Sequence, residues 1–148
     1  MSIQSEVFAN PSLTLKRRIN APPAKVFEAW TDPEKITRWF GPTGVETFLA
    51  ECDLRAGGRY RIAARSPDGE EHHVGGVYRE VVPNEKLVFT WAWRSTPERE
   101  SLVTVLLKAD GSGTMLTLIH EQFFDEAARD RHQHGWAGTL DKLERFFM

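Results

Sequence analysis

Cysteine is nearly absent from this chain: Cys52 is the only one in 148 residues. An internal disulfide framework is therefore excluded, as is any cysteine cluster for zinc or an iron–sulfur centre. A reducing, cytoplasmic setting is the expectation. No uninterrupted apolar stretch approaches the ~20 residues that a membrane helix requires, and residues 1–8 lack the positively charged start and apolar run of a secretory signal. Excess positive charge is missing too, since 19 Lys+Arg face 21 Asp+Glu for a net charge of -2. That balance argues against a nucleic-acid partner, which favours a basic footprint. The chain has no Gly-x-Ser-x-Gly elbow, no Gly-x-Gly-x-x-Gly and no Gly-x-x-x-x-Gly-Lys-[Ser/Thr]. Repeats, linkers and low-complexity tracts are lacking as well.

The composition present, 41% hydrophobic and 27% charged, is that of a soluble globule, and the length fits one domain spanning residues 1–148 with its core at about 13–147. Aromatic rings are the surplus: five Trp, nine Phe and two Tyr. Leu13, Leu15 and Ile19 alternate with Thr14, Lys16 and Arg18, the period of a half-buried strand. Pro22-Pro23 ends that strand and opens a helix bearing Val26, Phe27 and Trp30. Asp32-Pro33 repeats the start signal, with Asp32 as N-cap, for a second short helix whose apolar side is Ile36, Trp39 and Phe40. Gly41-Pro42 stops it.

From Val45 to about Phe123 the chain reads as six strands. Breaks fall at Gly57-Gly58, Pro67-Asp68-Gly69, Pro83-Asn84, Ser95 to Glu100 and Asp110-Gly111-Ser112-Gly113. Tyr60, Ile62 and Ala64 stand against Arg59, Arg61 and Arg65, and Leu87, Phe89, Trp91 and Trp93 against Val88, Thr90 and Ala92, so one face is bulky and apolar and the other smaller or charged. The segment Asp125 to Met148 returns to helical spacing through Trp136, Leu140, Leu143 and Phe147. At ~1.5 Å per residue it could reach roughly 35 Å. The order strand, two short helices, six strands, long helix implies an α+β fold: a curved antiparallel sheet of about seven strands wrapped around the terminal helix.

The histidines do not form a metal site by local spacing. His132 and His134 would point to different sides of a helix, and His72 and His73 to opposite sides of a strand. No cofactor is expected. Cys52 lies between Glu51 and Asp53, negative neighbours that raise a thiol pKa, and reads as a small strand residue. Arg59, Arg61 and Arg65 read as a solvated exterior. His120 lies on the strand face of Leu116 and Leu118, which makes it either a hydrogen-bonded core histidine or a polar anchor or acid/base facing a pocket. Gly135 and Gly138 flank Trp136, each costing about 1 kcal/mol in a helix interior. Either the helix is kinked or starts late, or the missing side chains allow close approach or leave space for a ligand.

Large rings are hard to pack to native density between a curved sheet and one helix. A cavity lined by Trp39, Phe40, Tyr60, Ile62, Phe89, Trp91, Trp93, Leu118, His120, Trp136, Leu140 and Leu143 is therefore expected. In this reading Trp39, Trp91, Trp93 and Trp136 converge on it, Trp39 and Phe40 form its entrance, and Trp30 packs the first helix.

Seven ordered motifs carry a resemblance. They are Ala21-Pro-Pro-Ala-Lys-Val-Phe-Glu-Ala-Trp-Thr-Asp-Pro33, Trp39-Phe-Gly-Pro42, Asp53-Leu-Arg-Ala-Gly-Gly58, Gly76-Val-Tyr-Arg-Glu80, Leu87-Val-Phe-Thr-Trp91, Gly113-Thr-Met-Leu-Thr-Leu118, and Gly135-Trp136 with Leu140. From about Leu13 to Phe147 the chain resembles the family named after the C-terminal domain of the heat-shock chaperone ATPase activator, within the START/birch-pollen-allergen (SRPBCC) superfamily. The resemblance implies a helix-grip fold over a cavity and suggests a stress-related setting. Superfamily members bind lipids, sterols, polyketides and plant hormones, and some are cyclases or hydrolases. No catalytic motif characterises the family, so none is carried over. Fold does not fix function.

The leading expectation is binding of a lipophilic or aromatic small molecule, with no enzyme activity. The alternatives are a cavity enzyme of polyketide cyclase/dehydratase or hydrolase type, for which His120 is the one catalytic candidate, and a chaperone-linked interaction module. The last is discounted because the eponymous activator also relies on an N-terminal domain for which this chain has no room. Edge strands leave a homodimer open.

Overall fold

The computed structural model describes residues 10–148; the reading of residues 1–8 lies outside them. The chain runs β1 (Leu13–Ile19), α1 (Pro23–Thr31), α2 (Pro33–Trp39), β2 (Glu46–Cys52), β3 (Arg59–Arg65), β4 (Glu71–Val82), β5 (Lys86–Trp93), β6 (Ser101–Asp110), β7 (Gly113–Glu121) and α3 (Glu126–Phe146). Every helix starts where the sequence supplies a start. Pro23 opens α1, the Asp32 carboxylate accepts from the Glu34 N–H at 3.0 Å at the head of α2, and the Asp125 carboxylate accepts from the Ala128 N–H at 2.8 Å at the head of α3.

The seven strands form one antiparallel sheet in the order β1-β7-β6-β5-β4-β3-β2. Strands β2 to β7 are joined as a meander, and β1, first in the chain, closes on β7 with Leu15 opposite Leu118. Register shifts at Thr47/Leu49 in β2 and Tyr78/Glu80 in β4 insert extra residues, and such bulges bend a sheet. Gly76 lies just before the second shift. A Cβ there would sit 2.1 Å from the Thr90 carbonyl oxygen, so only glycine allows β4 to run this close to β5.

The concave face carries the bulky residues read from the alternation, and α1, α2 and α3 cover it. Val103, Leu116, Leu118, Leu140 and Leu143 are fully buried between sheet and helices. The convex face is charged: Arg61 pairs with Glu51 and Arg65 with Glu71, which agrees with a solvated exterior for that arginine row. Helix α3 is continuous through Gly135 and Gly138, so neither a late start nor a break explains the glycines. Among the described residues no helix is long and apolar enough to cross a membrane, and no group of three or more His, Cys, Asp or Glu could hold a metal ion.

Candidate ligand cleft and its histidine-tryptophan network

A cleft of about 450 Å³ lies between the first half of α3, the inner face of β3–β5 and the turn after α2. Phe40, Trp91, Trp93 and Trp136 supply its rings, Ile62, Ala64 and Val74 its floor, and Gly135 and Thr139 the helix wall. These rings pack on one another. Trp91 lies 5.1 Å from Trp136 and 5.5 Å from Trp93 between centroids, and Phe40 lies 5.7 Å from Trp136.

Two imidazoles fix the indoles. An indole N–H can only donate, and both Trp91 and Trp93 donate to His132 Nε2, at 3.3 and 3.0 Å. His132 must therefore be neutral, with its proton on Nδ1, which donates to the Ala128 carbonyl at 2.7 Å. His120 has the opposite tautomer. Its Nδ1 accepts from the Trp136 indole at 3.0 Å, and its Nε2 donates to Ser101 Oγ at 2.7 Å, whose hydroxyl donates to the Trp91 carbonyl at 3.2 Å. Burial, and then the neighbouring His132, push the His120 pKa down to about 2. Burial also lowers the His132 pKa; its bond to the Ala128 carbonyl works against this, and the Arg131 charge lowers it further.

This geometry corrects several expectations. His120 is fully buried and does not face the cleft. With both nitrogens engaged and charging opposed by burial, it stands as a core histidine with satisfied hydrogen bonds, away from the cleft lining. Trp39 is not at an entrance. It is 1% exposed, donates its indole N–H to the Ala29 carbonyl at 2.9 Å, and stacks edge-on against Trp30. Trp30 reaches beyond the first helix and packs against Trp136, 6.1 Å away. Tyr60 and Phe89 line a separate void of about 20 Å³ deeper in the core, and Tyr60 donates its hydroxyl to the Thr90 carbonyl at 2.5 Å. Leu118, Leu140 and Leu143 are core residues that do not reach the cleft. Of the expected lining, the structure brings Phe40, Ile62, Trp91, Trp93 and Trp136 together there. The Cys52 thiol pKa is raised chiefly by burial; Asp32 adds to the rise, and the neighbouring Tyr78 hydroxyl opposes it.

The two glycines have different causes. A Cβ on Gly138 would meet Thr43 N and Oγ1 at 3.2 Å, so Gly138 lets α3 settle on the turn after α2. A Cβ on Gly135 would meet nothing within 4 Å, and that space belongs to the cleft. Local spacing does not single out His132 as a cleft residue. Its signal was its place one helical turn before Trp136, on the same face of α3.

A curved antiparallel sheet gripping a long C-terminal helix, with a ring-lined cleft between them, defines a helix-grip protein of the SRPBCC type. The chain belongs to the activator of Hsp90 ATPase homolog 1-like family, whose model matches residues 20–148. Among solved structures, a protein of Chromobacterium violaceum is 28% identical with a TM-score of 0.83, the match covering 93% of this chain and 97% of that one. The AHSA1 protein of Silicibacter pomeroyi is also 28% identical, with a TM-score of 0.79 over 91% of this chain and 96% of the other. An AHSA1-like protein of Aeromonas hydrophila, 23% identical with a TM-score of 0.79 over 92% and 91%, shares the fold. No curated protein is significantly similar to the chain in sequence.

Proposed function

We propose that the protein binds an apolar or aromatic small molecule in the cleft between β3–β5 and α3. The observation that carries this reading is a cleft of about 450 Å³ walled by four large rings, three of them indoles whose N–H groups are already bonded to His120 and His132. Such walls offer flat apolar surface in fixed orientations, and a rigid site loses little conformational entropy on binding. Gly135 supports the same reading, because a helix interior carries a glycine here without any packing contact that demands one. Binding is favoured over proton-transfer chemistry, since both ring nitrogens of His120 and of His132 are already engaged in hydrogen bonds.

A lipophilic compound panel screened by melting temperature and tryptophan fluorescence tests this. A ligand at about 100 times its Kd stabilises by about 2.7 kcal/mol, and Gly135→Leu, which fills the cleft from the helix side, is expected to abolish the shift. A panel without binders, or a binder indifferent to Gly135→Leu, overturns the proposal.

A further inference from the structure

The polar groups around the cleft narrow the class of ligand, an inference that rests on the binding reading above. Each indole N–H on the wall is consumed by an imidazole, His132 Nδ1–H by the Ala128 carbonyl, and the Thr139 hydroxyl by the Gly135 carbonyl at 2.8 Å. At the mouth, His72 Nε2 is within 3.1 Å of Ser66 Oγ. One strong donor is left. Arg131 lines the cleft, is exposed, and forms no ion pair or side-chain hydrogen bond among the described residues. Among the described residues no Asp or Glu lines the cleft, so Arg131 is the one formally charged residue of that lining.

Arg131 shares its lack of a carboxylate partner among the described residues with Arg59, Arg94 and Arg145, but of these four only Arg131 lines the cleft. Arg129, two residues earlier on the same helix, is paired with Asp130; Arg17, Arg61 and Arg65 are also paired with carboxylates. Its charge reaches the cleft wall, since it helps to disfavour protonation of His132. A guanidinium is a planar fork matched to a carboxylate, and it stays charged at every physiological pH. A cation would meet Arg131 with no compensating carboxylate. A neutral polar ligand would bury groups that find few partners inside.

We propose that the cleft selects an amphiphilic carboxylate, its aromatic or aliphatic body held among Phe40, Trp91, Trp93 and Trp136 and its carboxylate at the mouth on Arg131. The interior supplies affinity for the body, and Arg131 supplies the discrimination between acids and their neutral analogues.

The test uses a near-isosteric pair, 2-naphthoate and 2-naphthamide, titrated calorimetrically into the full chain at low salt. Because Arg131 is exposed, the acid is expected to bind only about fivefold tighter than the amide, a preference that high salt erodes. Arg131→Gln should bring the ratio to about one by weakening the acid while leaving the amide within twofold. Gly135→Leu should weaken both probes alike, which places them in the cleft. Equal affinities in the wild type, or a preference that survives Arg131→Gln, overturns the carboxylate assignment while the binding reading stands. Two probes that bind but ignore Gly135→Leu, or that do not bind at all, overturn the assignment; together with a panel that yields no cleft binder, they overturn the binding reading as well.

Discussion

Stability of this protein should fall in mild acid because of His120. Its folded pKa lies near 2, lowered by burial, whereas an unfolded histidine titrates near 6.5. Between those values the unfolded chain binds a proton that the native state refuses, so stability rises with pH. The contribution is complete above pH ~6.5 and is lost progressively as pH falls towards the folded value. For a single group with these two pKa values, the loss between pH 7 and pH 5 is about 2 kcal/mol. The number barely depends on the folded value, since both pH values lie far above it. His132 acts with the same sign, because burial lowers its pKa too. The carboxylates of Asp68 and Glu71 are shifted down from their ordinary range, Asp68 by the Glu70 N–H and the Ser66 hydroxyl and Glu71 by His73 and Arg65, and so move away from this window. Urea unfolding of wild type and His120→Gln at pH 7, 6 and 5 measures the effect. The variant is expected to start less stable and to lose about 2 kcal/mol less over the range. An equal loss in both proteins refutes the reasoning, as does an imidazole NMR titration of His120 with a midpoint above pH 5; the latter needs no variant.

The glycines of α3 give a paired prediction. Gly135→Ala adds a Cβ into open space and should raise stability by about 0.5–1 kcal/mol, or roughly 2–4 °C in Tm, while Gly138→Ala meets Thr43 and should gain less or lose. Thermal melts of the two variants side by side decide it. Arg17 spans from β1 to α3, bonded to Asp141 at 2.5 Å and Glu144 at 2.6 Å. With both carboxylates partly exposed, Arg17→Met should cost about 1 kcal/mol at low salt, and chemical denaturation in 1 M NaCl should show the difference shrinking.

Local signals in the chain specify the elements almost completely. Asp32-Pro33, Asp125 and the turn glycines each act within a few residues, so their geometry can be read in place. The site is less legible, because it depends on how high along a strand each ring sits. Phe89 and Trp91 share one face of β5, yet Phe89 faces the deep void with Tyr60 while Trp91 separates that void from the cleft. Only cross-strand register and the placement of α2 decide between these. Trp39 and Phe40 are adjacent and apolar, and a two-turn helix gives no periodic signal to distinguish the one that reaches the cleft from the one that packs beneath Trp30. The role of His132 is not legible locally, because its partners Trp91 and Trp93 come from a strand about forty residues away.

The same network explains why so many rings can stand around open space without collapsing into it. An indole left free to rotate would fill a neighbouring void, since dispersion contacts are forfeited across any gap. Here each indole that borders the cleft is tied at its single polar atom: Trp91 and Trp93 to one imidazole on α3, and Trp136 to another on β7. Rotating Trp136 would leave an N–H and an imidazole nitrogen unpaired, and rotating Trp91 or Trp93 would leave its own N–H unpaired while the other keeps its bond to His132, a penalty of about 1–3 kcal/mol for each buried group left without a partner. The histidines thus hold the walls of the cleft, and the burial of that position lowers both of their pKa values. A protonated His132 could no longer accept from Trp91 and Trp93. The condition that keeps the rings in place is therefore a neutral imidazole, and burial supplies it.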